Sequence, residues 1–181
     1  MDPFEITAQA IGILAMAFNI LSFQQKTYKK AVFFQFFGAS LFAVNFFMLG
    51  AIVGGIMNVI AVFRAFVYMN KKKFHTDHIA WLLSFILFYI TSYILTFTVF
   101  GKDFTLFNAV IELLPVVGMT ATNIGLRLEN ARAIRRFGLI SSPSWLAYNI
   151  ANFAVGAIIC EVLSLISIFI GIIRFDVKKE K

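Results

Sequence analysis

The chain has 181 residues, of which 60% are hydrophobic, 23 are phenylalanine and 14% are charged. A soluble domain of this size cannot cover that much apolar surface, so composition excludes the soluble classes and leaves the membrane class. The net charge of +7, from 16 Lys and Arg against 9 Asp and Glu, would suggest nucleic acid in a soluble protein. In a membrane chain it reports topology instead, and no nucleic-acid partner is expected.

A helix crosses the roughly 30 Å hydrocarbon core in about 20 residues. The first apolar run, 6–23, follows an acidic start, Met1-Asp2-Pro3-Phe4-Glu5, where a signal peptide would be basic. It is therefore expected to remain as a span. It ends at Asn19, Gln24 and Gln25, and Lys26, Lys29 and Lys30 follow. An apolar run with amides near a basic exit reads as a span leaving on the cytoplasmic side. From Lys30 to Lys71 the one charge is Arg64, which leaves room for spans at 32–49 and 51–69. Gly50, Gly54 and Gly55 can supply the reversal between them. A polar loop over 70–78 precedes a fourth span, 79–100. Gly101-Lys102-Asp103 turns the chain into a fifth, 105–124, where Pro115 frees a carbonyl and a local break could line a site. The basic segment 127–136 reads as a helix at the membrane surface. Between Phe137 and Ile173 the one charge is Glu161, again fitting two spans, 138–155 and 156–173. The tail, 174–181, is polar.

The expected fold is all-α. Residues 1–73 form a first three-helix bundle, 74–103 carry a linker helix, and 104–181 form a second three-helix bundle with a tail. Seven spans put the termini on opposite sides. With the N-terminus outside, the cytoplasmic connections hold Lys26, Lys29, Lys30, Lys71, Lys72, Lys73, Arg127, Arg132, Arg135, Arg136, Arg174, Lys178, Lys179 and Lys181, which is 14 of the 16 Lys and Arg. The outside keeps Lys102, and Arg64 is intramembrane. That bias predicts N-outside, C-cytoplasmic. The halves also match in layout: Asn19/Asn123, Ser40/Ser144 and Asn45/Asn149 each stand 104 residues apart. Parallel repeats of this kind are one way to build a transporter.

The exit Phe23-Gln24-Gln25-Lys26, the segment Trp145-Leu146-Ala147-Tyr148-Asn149 and the three-one-three plan resemble the MtN3/PQ-loop superfamily, which includes the SWEET sugar transporters. The opening, Ile11-Gly12-Ile13-Leu14-Ala15 through Ser22-Phe23-Gln24-Gln25-Lys26, more specifically resembles the YgjV-type bacterial inner-membrane proteins over nearly the whole chain. The closer resemblance implies a multi-pass protein of the bacterial inner membrane and names no substrate. The SWEET resemblance implies a substrate between the bundles. It also implies an aromatic on the second span of each bundle, sixteen residues before a polar residue on the third. Phe42 and Asn58 match that spacing, as do Trp145 and Glu161. Phe23 stands where the PQ proline would be, and Glu161 where a second asparagine would be. Sugar is therefore not implied, and a small polar metabolite of another kind fits the same plan, as in the related vitamin transporters.

Phe42, Asn58, Trp145, Asn149 and Glu161 are the candidate substrate residues. An ionised carboxylate in lipid is costly, so Glu161 should face the bundle interior or a wet cavity. It would couple transport to a proton or meet a cationic part of the solute; the alternatives are snorkelling and a structural hydrogen bond. Asn19, Arg64, Asn108, Glu112 and Asn123 are the further intramembrane polar candidates. Asn108 and Glu112 lie one turn apart on one face. Arg64 lies near the inner end of its span and is expected to snorkel to the interface rather than pair with Glu112 or Glu161. Asn19 and Asn123 should make equivalent interhelical contacts, and Asn45, Asn149 and Asn152 can act as interhelical glue. Ser141-Ser142-Pro143-Ser144 is either a kink or the ragged start of a span. Phe33, Phe34, Phe36 and Phe37 read as packing or lipid-facing surface. His75, Asp77 and His78 do not make a full metal-ligand set. No phosphate-binding glycine loop, nucleophile elbow or zincin motif occurs, so an enzyme, a cofactor and a metal are not expected. The leading expectation is a carrier of a small polar solute working by alternating access in the lipid bilayer, with a second copy of the chain as a further candidate partner. The rivals are a non-transporting receptor or assembly factor on the same fold and, behind it, an intramembrane enzyme using Glu112 or Glu161.

Overall fold

A computed structural model describes residues 3–48, 52–151 and 155–177. All regular structure among these residues is helical. In chain order the helices are α1 (Pro3–Phe23), α2 (Tyr28–Met48), α3 (Ile52–Met69), a short α4 (Lys71–Phe74), α5 (Ile79–Thr98), α6 (Leu106–Arg127), α7 (Ala131–Ala151) and α8 (Val155–Ile172). A π-helical turn, Ile173–Val177, continues α8. The expected roles of Gly50 and Asn152 fall outside the described residues.

Polar breaks set the helix ends. His75 closes α4 in the left-handed region (φ 50°), and the His78 imidazole accepts from Ala80 N–H to cap α5. Gly101, at φ 68°, makes the turn after α5. The Thr105 hydroxyl then accepts from Asn108 N–H to start α6. Glu129, at φ 56°, stops the chain after α6. The Asn130 side chain accepts from Ala133 N–H at 2.6 Å and starts α7, as an N-cap asparagine does.

Two expectations change here. The segment 127–136 is not a separate surface helix: Arg127 ends α6, and Arg132 to Arg136 are the first turns of α7, with Arg135 buried at 3% exposure. Gly54 and Gly55 do not make the reversal but lie inside α3. A Cβ at Gly55 would come within 2.6 Å of the Phe47 ring, so this glycine lets α2 and α3 approach.

α1, α2, α5, α6 and α8 with its extension are long and apolar enough to cross a membrane. The apolar part of α3, Gly55–Met69, is shorter. In α7 the three arginines of its first half and the run Ser141-Ser142-Pro143-Ser144 lower the hydropathy. Both Pro115 and Pro143 lie inside continuous helices, so the helix does not break at Pro115 and Pro143 is not the ragged start of a span. The outward faces carry large exposed apolar side chains, among them Leu14, Leu83, Leu87, Phe107, Val117 and Ile166. Apolar residues outside and satisfied backbone within helices are what a bilayer demands. The Phe-rich run of α2 contributes Phe33 and Phe37 to that surface.

The most extensive packing is α1 on α2, α2 on α3, α6 on α7 and α7 on α8. α5 packs on α6 and α3, with Phe85, Tyr89 and Tyr68 fully buried between them. Contacts of α1 with α8, α2 with α7 and α3 with α6 bring the remaining faces together.

Candidate functional site

Between those facing surfaces lies a cavity of about 200 Å³. Its walls come from one stripe on each of six helices. On α2 the stripe is Gln35, Ala39, Phe42 and Phe46; on α3 it is Met57, Asn58, Ala61, Arg64 and Ala65. On α7 it is Ile134, Gly138, Ser141, Ser142, Trp145 and Asn149. Steps of three and four residues keep each set on one helix face. Asn19 and Phe23 of α1, Met119 and Thr122 of α6, and Ala157, Cys160 and Glu161 of α8 complete the lining.

Small residues make the space, and glycines set its walls. A Cβ at Gly118 would come within 3.0 Å of the Trp145 ring, so the bare backbone of α6 is what Trp145 lies against. The Thr122 hydroxyl lies 2.9 Å from Ser141 Oγ and 3.0 Å from Gly118 O, fixing α6 to α7 beside the cavity. Ser142 of α7 and Glu161 of α8 both line the cavity.

Phe42, Asn58, Trp145, Asn149 and Glu161 all line this one cavity, together with Asn19 and Arg64. Arg64 does not snorkel. It is 5% exposed, its Nη1 donates to the Tyr89 hydroxyl at 2.9 Å and to Met119 O at 3.3 Å, and its buried Nε has no hydrogen-bond partner. The hydroxyl of α5 holds it inward, a contact made only when α5 packs on α3.

The other polar candidates lie elsewhere. Asn123 is fully buried and donates to Leu82 O of α5 at 3.4 Å. It is therefore not the contact equivalent of Asn19, which faces the cavity. Glu112 and Asn108 do not pair with each other: Glu112 accepts from Lys102 at 2.5 Å and Asn108 donates to Asp103 O at 2.8 Å. Both tie the turn at Gly101 to the start of α6. Asn45 is interhelical glue, donating to Ala8 O at 2.7 Å from a buried position.

At the end of the bundle where α1 stops and α7 starts, a polar joint crosses the helices. Gln24 donates to Ser167 Oγ at 2.9 Å, and Ser167 donates to Ile20 O at 2.9 Å. Arg135 grips Asp176 through Nε at 3.0 Å and Nη2 at 2.5 Å, and donates through Nη1 to Gln25 O at 2.9 Å. The π-helical turn after α8 carries Asp176 to that place, and Phe175 lies against the Arg135 guanidinium. A Cβ at Gly171 would sit 2.7 Å from Phe23 O and 2.8 Å from Arg135 Cδ. α8 can reach the joint only through a glycine there.

Sequence reasoning did not single out Gln35, Phe46, Thr122 or Arg135 for this centre. Gln35 left a signal: it is the amide inside the run Phe33 to Phe37. Arg135 left none beyond its charge, because Asp176 lies 41 residues away in sequence.

Apolar helices of spanning length around a cavity with amide, hydroxyl and charged side chains in its lining define a multi-pass α-helical membrane protein. The family model described as a bacterial inner membrane protein, Imp-YgjV, matches residues 6–179. The chain belongs to that family, and its place is the bacterial inner membrane. Comparison with curated proteins and with solved structures finds no match.

Proposed function

We propose that the chain is a carrier that moves a small polar solute by alternating access between two three-helix bundles, α1–α3 and α6–α8, joined by α5. The observation that carries this reading is the cavity itself. Its aromatic and polar walls come from both triplets at matching places: Phe42 with Asn58, and Trp145 with Glu161. Helix packing supports it further. If α1, α2 and α3 correspond to α6, α7 and α8, then the α1–α8 contact maps onto α6–α3, and the α2–α7 contact maps onto itself. Contacts that exchange in this way are what a two-fold relation between parallel repeats requires. The joint of Gln24, Ser167, Arg135 and Asp176 then acts as the closed gate at the end where Lys26, Arg132 and Arg136 cluster. In the proposed orientation, with the N-terminus outside, that end is cytoplasmic.

Proteoliposomes holding the purified protein, incubated with an isotopically labelled metabolite extract, test this reading. A folded wild-type protein should fill vesicles with at least one solute at a rate empty vesicles lack, and Trp145→Ala should lose that uptake while still folding. A solute that binds without ever entering the lumen would replace the carrier with a receptor.

A further inference from the structure

The cavity is lined by one base and one acid, and neither has an ionic partner among the described residues. Arg64 and Glu161 both line it. Among the described residues the ion pairs are Lys71 with Glu129, Lys102 with Glu112, and Arg132 and Arg135 with Asp176. Arg64 and Glu161 take part in none of these. A buried charge is costly unless it is paired and hydrogen-bonded. Arg64 is 5% exposed, and its Nε has no hydrogen-bond partner. Its Nη1 is taken by neutral acceptors, the Tyr89 hydroxyl and Met119 O. A guanidinium has five donors in a fork suited to a carboxylate, so this one retains donors and lacks an anion. Gln35, another lining residue, also keeps a buried Oε1 without a donor. Around Glu161 the neighbours suit a cation. Ser142 shares the lining of the cavity, and Trp145 and Phe42 add two aromatic rings to it, a residue type that attracts an ammonium.

We infer that the cavity takes a small zwitterion of amino-acid size, its carboxylate on Arg64 and its ammonium on Glu161. The inference rests on the carrier reading only for the claim that the solute crosses; binding stands without it. The cavity of about 200 Å³ limits the solute to a single small molecule. The solute would supply the anion that Arg64 lacks and the cation that Glu161 lacks, leaving the filled site neutral. A solute with one charge would leave the opposite residue uncompensated.

Thermal unfolding of the purified full chain in detergent tests this, since a ligand of the folded state raises the midpoint by mass action. The probes are the proteinogenic α-amino acids, β-alanine and 4-aminobutyrate. For any that raises the midpoint, the matching amine without the carboxylate and acid without the amine follow. At least one zwitterion should raise the midpoint by several degrees at millimolar concentration, and neither half-molecule should match it. Arg64→Gln should abolish the advantage of the zwitterion over its amine, and Glu161→Gln its advantage over its acid. A purely structural Arg64 would lower the midpoint without changing that selectivity. If Arg64→Gln does not fold, Arg64→Lys should keep the preference for the carboxylate at reduced strength. No shift with any zwitterion, or a shift with selectivity untouched in both Gln variants, overturns the inference. Uptake in proteoliposomes separates the two claims. Zwitterion binding without uptake removes the carrier and leaves the ligand class. Uptake of a neutral solute unchanged by Arg64→Gln removes the class and leaves the carrier.

Discussion

Asn19, Asn45 and Asn123 place the same amide in three settings, and the setting decides what each does. Asn45 spends its amide on Ala8 O, between α1 and α2, and leans on Gly12, where a Cβ would come within 2.9 Å of its Nδ2. Asn123 reaches Leu82 O at a long 3.4 Å and leaves its buried Oδ1 without a partner. Asn19 faces the cavity. Intramembrane hydrogen bonds average about 0.6 kcal/mol and reach about 1.7 kcal/mol at most. Asn45→Ala should therefore cost about 1 kcal/mol in reversible unfolding in mixed micelles, while Asn19→Ala should leave stability nearly unchanged. Equal losses at the two positions would put Asn19 among the packing residues. The 104-residue spacing of Asn19 and Asn123 suggested equivalence because sequence shows an amide in an apolar run, not the neighbour beside it. α5 lies against α6 and supplies the Leu82 carbonyl. Arg64 shows the same limit: charge and depth suggested snorkelling, and only the packing of α5 reveals the Tyr89 hydroxyl that holds it inward.

At the scale of elements, most helix bounds were legible because each break is local chemistry. Gly101 and the basic residues Lys71–Lys73, which lie in the short α4 and not in a plain loop, end spans within a few residues of where α5 and α3 end. α7 was not legible at its start, although Asn130 before Ala131 is an N-cap signal. Three arginines concealed it, since a buried Arg135 is affordable only with Asp176, Gln25 O and Phe175 around it. Removing one partner of a buried ion pair costs about 3–5 kcal/mol, because the remaining charge stays buried. Asp176→Ala should thus lower stability by about 3 kcal/mol in chemical unfolding, and the double variant with Arg135→Met should recover much of that. A double variant no better than Asp176→Ala would mean the pair is not coupled. Gly171 and Gly138 separate backbone from side-chain crowding at the same joint. Ala at Gly171 meets the Phe23 carbonyl at 2.7 Å, whereas Ala at Gly138 meets the end of Ile168 at 2.9 Å. A backbone carbonyl cannot rotate away and an Ile methyl can. Overpacking costs about 1–3 kcal/mol, and Gly171→Ala should lie at the upper end with Gly138→Ala below it in the same unfolding series.

For the whole molecule, the charge bias and the exchanging contacts make one account: two parallel triplets, a linker, and a cavity between them. In the proposed orientation a reporter active only outside the cytoplasm should work at the N-terminus and after Gly101, and fail at the C-terminus. An active C-terminal fusion would break the seven-span count. The proposed repeat rests on spacing and charge layout that the sequence shows; the cavity was legible only in part, because Phe42, Asn58, Trp145 and Glu161 each mark one point on four of its six walls. The central claim is that the cavity opens alternately to the two sides. Asn58→Cys in a Cys160→Ala background puts one thiol on the cavity wall, and a small membrane-impermeant thiol reagent can be offered to intact spheroplasts and to inside-out vesicles. The account predicts labelling of Cys at that position from both faces, slowed from both by a bound solute. Labelling from one face alone, or only by a reagent dissolved in the lipid, would contradict it.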